Sequence, residues 1–326
     1  MKDSFFSNFP SVSPEQWKQK IIEELKGKPF EDLIWRTKEG FDVQPFYTAE
    51  DLEKIKITVP QKAKPGWEIR QDIVVKNLKE ANKNTIDALA GGAESIGFDV
   101  SKIQVTKTNL QKLLAGINTV KIPVHFTRVK MKSLEKLVSL FTKKTSGSVE
   151  FSDFSIKNIP TFTEYAKAFP KFDFITIKVN SLQSITAWTL HTQKKRVRLS
   201  ISLSNDYFLE IAKLRALRIL FAEKGIPVFI HAENIPQKTV KGEAHYNILR
   251  ATTTAMAAII GGCDSLSLKA SPMPGKSKVF SERIYRNIQL LLKHESYFDQ
   301  FENAAGGSYS IEALTQKFIE QAKAGK

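Results

Sequence analysis

The residue types best suited to chemistry in this chain are His231 and Glu233, two positions apart in Phe229-Ile230-His231-Ala232-Glu233. On an extended strand, positions i and i+2 share a face, so an imidazole and a carboxylate stand side by side. That pair supplies a base and an orienting acid, and Ser202 and Ser204 offer hydroxyls that it could activate. No nucleophile-elbow pattern surrounds those serines. The same pair gives only two metal ligands. The five histidines, at 125, 191, 231, 245 and 294, never recur at the i, i+4 spacing of a helical metal site. The blander reading of His231 and Glu233 is a hydrogen-bonded pair lining a mouth. The stretch Tyr246 to Arg250 could hold an anion on the free N–H groups of a helix start. Its structural reading is Asn247 and Arg250 pairing with neighbouring loops. The single cysteine, Cys263, excludes an internal disulfide and any multi-cysteine metal site.

The elements that must position these residues follow a regular alternation. Ser13 as N-cap, Pro14 in the first turn and apolar Trp17, Ile21, Ile22 and Leu25 predict an N-terminal helix docked on the body. A hairpin is expected over 33–45 with Gly40 in its turn, then a short helix capped by Thr48. Pro60, Pro65 and Gly66 mark a junction. From Trp67 eight strand-then-helix units follow, with strands at 68–75, 94–100, 119–126, 149–154, 173–179, 197–203, 227–232 and 265–269. Their helices are expected at 78–90, 109–115, 134–141, 161–168, 183–191, 206–223, 246–260 and 281–294. Gly261-Gly262 reads as a helix stop.

Eight such units without consecutive strands imply parallel pairing and closure into a (β/α)8 TIM barrel. The expected organisation is an arm over 1–66 and a barrel over 67–326. An open doubly wound sheet of eight strands lacks its glycine-rich phosphate fingerprint here. In a barrel, chemistry belongs at the C-terminal strand ends. Those ends place Asp72, Lys76, His125, Asp153, Lys178, Asn180, Ser202, Ser204, His231, Glu233 and Lys269 as the residues to inspect.

Composition bounds the function classes. The chain has 326 residues, 42% hydrophobic and 25% charged, with a formal charge of +15. That excess favours acidic partners. The basic residues are spread over nearly every segment, and no RNA-binding signature or zinc finger accompanies them, so a nucleic-acid role is not expected. No secretory or transit segment and no run of membrane-spanning length occurs, which makes the cytoplasm the expected location.

Several blocks carry a family likeness. They are Leu33-Ile34-Trp35-Arg36-Thr37-Lys38-Glu39-Gly40 with Pro45-Phe46-Tyr47-Thr48; Trp67-Glu68-Ile69-Arg70-Gln71-Asp72-Ile73; Asn205-Asp206-Tyr207-Phe208-Leu209-Glu210; Tyr246-Asn247-Ile248-Leu249-Arg250-Ala251-Thr252-Thr253; Gly261-Gly262-Cys263-Asp264-Ser265-Leu266; Ser281-Glu282-Arg283-Ile284-Tyr285-Arg286-Asn287; and Ala305-Gly306-Gly307-Ser308-Tyr309. In this order they resemble the methylmalonyl-CoA mutase family, most closely its small, non-catalytic subunits. The resemblance implies a barrel that takes a CoA thioester along its axis, with adenosylcobalamin held at the mouth by a separate C-terminal domain.

The departures from that pattern imply a chain without catalysis. Where catalytic relatives carry Ser-Gly-Tyr-His after the fifth strand, this chain has Lys178-Val179-Asn180-Ser181, so the tyrosine and the thioester-polarising histidine are replaced at Asn180 and Ser181. His231 survives, whereas the family's glutamine two residues later is Glu233. The family's Thr-Ile-Gln-Asn-Asp stretch and substrate arginine have no counterpart near 149–160. The Asp-x-His-x-x-Gly signature of cobalt ligation is absent. The resemblance thus implies no cofactor or metal on this chain, which is expected to lack the C-terminal cobalamin-binding domain. Adenosylcobalamin would sit in a large subunit with which it forms a heterodimer. The alternative of another class is a catalytic barrel subunit of a split acyl-CoA mutase, served by a separate cobalamin-binding chain.

Overall fold

The computed structural model describes residues 12–53, 55, 57–62, 64–153, 159–179, 182, 196–236 and 244–324. The expected helix at 183–191, His191, Asn180 and Ser181 lie outside the described residues.

Alternation along the strands decides the architecture. In β4 (Ser95–Asp99) and β5 (Val124–Val129), Ile96, Phe98, Val124 and Phe126 are buried apolar residues. Ser95, Gly97, His125 and Thr127 point the other way. One strand face therefore seeks helices and the other a polar interior. The same holds for β3 (Glu68–Val74), β6 (Gly147–Phe151), β9 (Val197–Leu203), β10 (Val228–Asn234) and β11 (Ser265–Ser267).

All nine strands of the main sheet pair in parallel, in the order β7-β6-β5-β4-β3-β11-β10-β9-β8. Its two end strands, β7 (Phe172–Asp173) and β8 (Thr176–Val179), are consecutive in the chain. They amount to one stave interrupted at Phe174-Ile175, so eight staves close a (β/α)8 barrel, as the unit count predicts. The third strand begins later than expected because Asn118 accepts hydrogen bonds from the N–H groups of Val120 and Lys121 and holds them in a turn. Gly147, at φ 145°, opens β6 where an added Cβ would lie 1.8 Å from the carbonyl oxygen of Val124. Only glycine fits there.

The helices α3 (Leu78–Ala90), α4 (Lys107–Leu113), α5 (Leu134–Val138), α6 (Ile159–Ala168), α7 (Tyr207–Glu223), α8 (Ala244–Ile260) and α9 (Lys278–His294) follow their strands. An additional helix, α10 (Tyr309–Ala324), lies over α7. That cover buries α7 almost all round and includes a buried ion pair, Arg215 Nη2 to Glu312 Oε1 at 2.6 Å.

The arm departs from expectation in one respect. Its α1 (Pro14–Glu24) has the anticipated Ser13 capping box but buries none of its residues, and Trp17 remains 53% exposed. It is not docked on the barrel core. An amphipathic pattern states that a face needs cover without stating which surface provides it. The hairpin of β1 (Trp35–Arg36) and β2 (Asp42–Val43) and the short α2 (Ala49–Glu53) form as expected. They rest on α10, with Phe41 edge-on to Phe318 at 5.0 Å. Among the described residues no helix is long and apolar enough to cross a membrane.

Candidate functional site at the barrel mouth

The inward positions of this barrel are polar where aliphatic layers are usual. Deepest lie Glu68 and Arg198. The Arg198 guanidinium stacks on the Phe229 ring at 3.6 Å and meets Asp173 at 3.2 Å, and Arg196 reaches the other Asp173 oxygen at 2.5 Å. Above them His125 Nδ1 contacts Ser148 Oγ at 2.9 Å, and His231 Nδ1 contacts Ser265 Oγ at 2.8 Å. Arg70, His125, Ser148, Arg198, His231 and Ser265 each keep no more than 5% exposure. At this level the described side chains close the axis to solvent.

The next layer is an ion-pair network. Arg70 Nε donates to Asp72 Oδ1 at 2.7 Å, and Ser267 Oγ donates to Asp72 Oδ2 at 2.6 Å. Gly97 makes room for it, since a Cβ there would sit 1.7 Å from Asp72 Oδ1. Burial pushes the Asp72 carboxyl up, but Arg70 and the hydrogen bonds outweigh it and hold the group at about 2. Across the mouth Glu233 accepts from Ser202 at 2.8 Å and from Lys269 at 2.7 Å. Burial, reinforced by Arg70, drives the His231 imidazole well below its ordinary value, and burial does the same to His125 with Arg70 and Arg198 adding to it. Both rings are neutral near pH 7. The 3.9 Å approach of His231 to Asp72 is therefore not a salt bridge.

Above this network opens a cavity of about 350 Å³, rimmed by Asp99, Arg128, Glu150, Lys178, Lys278 and Glu282. Glu150 is pushed up by burial, with Lys178 opposing. Of the strand-end residues, Asp72, Lys178, His231, Glu233 and Lys269 line this cavity together. His125 lies deeper, and Ser202 reaches the network through Glu233. Lys76 is exposed outside the cavity, Asp153 accepts from the Met131 N–H in a turn, and Ser204 bonds Asp206 at the start of α7. Arg250 pairs with Asn247 at 3.2 Å, one turn back on the same helix, and not with a neighbouring loop as expected. The residues that the strand-end inspection missed are Arg70, Glu150, Arg198 and Ser267. Their signal was present as polar residues at alternate positions, Glu68, Arg70 and Asp72, and Arg198, Ser200 and Ser202.

The geometry narrows the chemistry. Glu233 does not orient His231; the carboxylate nearest the imidazole is Asp72. Ser267 stands between them, donating to Asp72 and lying 3.5 Å from His231 Nε2. That order, acid–serine–histidine, leaves the base without an orienting acid and the hydroxyl committed to a carboxylate, unlike a nucleophile relay. Ligand atoms of Asp72, His231 and Glu233 lie within 4.8 Å of one another. Both carboxylates are already matched by Arg70 and Lys269, which removes the negative charge that would attract a cation.

Comparison with known proteins adds the lineage. Residues 186–325 match the profile of the methylmalonyl-CoA mutase family. The methylmalonyl-CoA mutase small subunit of Porphyromonas gingivalis is 32% identical over an alignment covering 98% of this chain and 63% of that protein. The chain is related to the methylmalonyl-CoA mutases. The human mitochondrial methylmalonyl-CoA mutase is 25% identical, with 94% of this chain and 54% of that protein aligned. The chain thus spans between half and two thirds of the length of these mutases. Among solved structures, the tryptophan synthase alpha subunit of Legionella pneumophila aligns at 9% identity and a TM-score of 0.37, covering 78% of this chain and 93% of that one. The barrel assignment rests on strand order.

Adenosylcobalamin, the cofactor that the mutase resemblance implies, does not fit the residues present. The imidazole of the mouth is His231, both of whose nitrogens face serine hydroxyls. The cavity is also small beside a corrin ring and is lined by pairs that neutralise each other.

Proposed function

We propose that this chain is the small, catalytically silent subunit of an adenosylcobalamin-dependent methylmalonyl-CoA mutase, the enzyme that interconverts methylmalonyl-CoA and succinyl-CoA. It supports a catalytic large subunit in a cytoplasmic heterodimer of propionate metabolism, and the large subunit carries the cofactor. The relative named a small subunit supports the partnership. The observation that carries the silence is the closed axis: a CoA thioester would have to displace Arg70, Arg198 and their buried carboxylate partners, leaving charges unpaired. The arm over 1–66 and the barrel over 67–326 are the two parts of this subunit.

Purified alone, the chain is expected to give no absorbance change on titration with adenosylcobalamin and no turnover of methylmalonyl-CoA. Mixed with the large subunit of its source, it should elute as a one-to-one complex with mutase activity. Turnover by this chain with a free cobalamin-binding protein would establish the second reading, a catalytic subunit of a split acyl-CoA mutase. That reading draws on His231, retained at the mouth of a cavity large enough for a small acyl group.

A further inference from the structure

Six of the lysines of this chain, dispersed in sequence, come together at the N-terminal end of the barrel. Three successive connections return from helices to strands at the N-terminal end of the barrel: α4 to β5, α5 to β6 and α6 to β7. Lys112, in the last turn of α4, and Lys121 flank the first, Lys143 and Lys144 stand on the second, Lys167, in the last turn of α6, and Lys171 flank the third, and all six are exposed. No Asp or Glu occurs in 112–123, 139–147 or 165–172. The strands they feed are neighbours in the sheet, so the three connections are adjacent. Rings tie them together beneath the lysines: Phe141 lies 5.8 Å from Phe169 and 4.4 Å from Phe172, and Phe126 lies 6.4 Å from Phe141. The amide of Ser146 also bonds the carbonyl of Thr119 across the first two.

Some exposed lysines elsewhere are paired, as Lys20 with Glu23, Lys323 with Glu223 and Lys278 with Glu282, and others, such as Lys79, Lys83 and Lys224, stand singly; the six are distinguished by being neighbours with no acidic residue among them. Among the described residues none of these six has an ion-pair partner. Like charges gathered on a rigid platform repel one another, and an oppositely charged surface relieves that repulsion while steering encounter.

We propose that this platform is a docking surface for an acidic protein face, that of the large subunit, an assignment that rests on the subunit reading above. The chemistry favours protein over nucleic acid. The platform is all lysine, without the arginine forks that grip phosphates or exposed rings on which bases stack. Its one exposed large apolar residue is Val120, beside Lys121, a small apolar contact within a polar rim.

The test measures association of the full chain with the large subunit of its source by stopped-flow mixing at low and high salt. A variant with Lys121→Glu, Lys143→Glu, Lys144→Glu and Lys171→Glu is compared with one carrying Lys79→Glu, Lys83→Glu, Lys224→Glu and Lys276→Glu, also exposed residues. Circular dichroism checks that both fold. The platform variant should associate about ten-fold or more slowly with a flattened salt dependence, and the control within about two-fold of the parent. A complex that forms but treats both variants alike overturns the docking surface and leaves the subunit reading intact. No complex with the parent chain at any salt overturns both. Retention of duplex DNA or coenzyme A by the parent at physiological salt, lost in the platform variant, would reassign the lysines to phosphate binding.

Discussion

Asp72 ties the first stave to the last, because Arg70 Nε on its own strand and Ser267 Oγ on β11 both donate to it. Replacing it with Asn keeps the shape and removes the charge, leaving the Arg70 guanidinium buried without a counter-ion. The expected cost is about 3 kcal/mol, read as a fall in the urea midpoint. The two neutral histidines give a separate pH signature. Their folded values lie below the ordinary 6.5, so the unfolded chain binds protons first. Their contribution is complete above about pH 6.5 and is lost as pH falls below it. Asp72, held at about 2 against an ordinary 3.8, loses its contribution only as pH drops below about 4. Glu68 and Glu150, raised by burial, act in the opposite sense and favour the fold as pH falls through their raised values. Substituting His231→Gln should therefore flatten the loss of stability between pH 7 and 5 relative to the parent. An unchanged slope would show that His231 titrates alike in the folded and the unfolded chain.

Among the elements, α10 is the addition that the eight-unit count does not anticipate. It covers α7, whose buried Arg215 meets Glu312 on α10. Arg215→Ala leaves Glu312 largely buried without its cation and should cost about 3–5 kcal/mol by urea denaturation. Arg215→Met with Glu312→Leu, which removes both charges and keeps the volume, should recover most of that. The start of β6 is a sterically stricter point. A methyl at Gly147 would collide with the Val124 carbonyl of the neighbouring strand, so Gly147→Ala should yield little folded protein by circular dichroism.

For the whole molecule, the barrel and the arm make unequal claims on stability. Because α1 buries nothing, deleting residues 1–27 should leave the urea midpoint of the barrel unchanged within error. The same deletion should weaken large-subunit binding if the exposed Trp17 and Ile22 face finds its cover there. A large drop in midpoint would mean that α1 is held by the barrel after all.

The sequence alone determined the eight staves, because strand and helix periods are local and each glycine or proline stop acts on its own segment. It also determined the lineage, carried by blocks such as 205–216 and 246–266, and it displayed the polar residues of the interior at alternate strand positions. Only the tertiary structure decided what those residues do. Parallel pairing of β3 with β11 brings Asp72 from the first stave against Ser267 from the last, 195 positions apart. Pairing of β10 with β11 sets Glu233 against Lys269, away from His231. His231 and Glu233 were legible as neighbours on one strand face, whereas their partners come from other strands, and hydrogen bonds select partners by distance in space. The same logic gathers six lysines from three connections onto one platform, which no reading of their order along the chain contains.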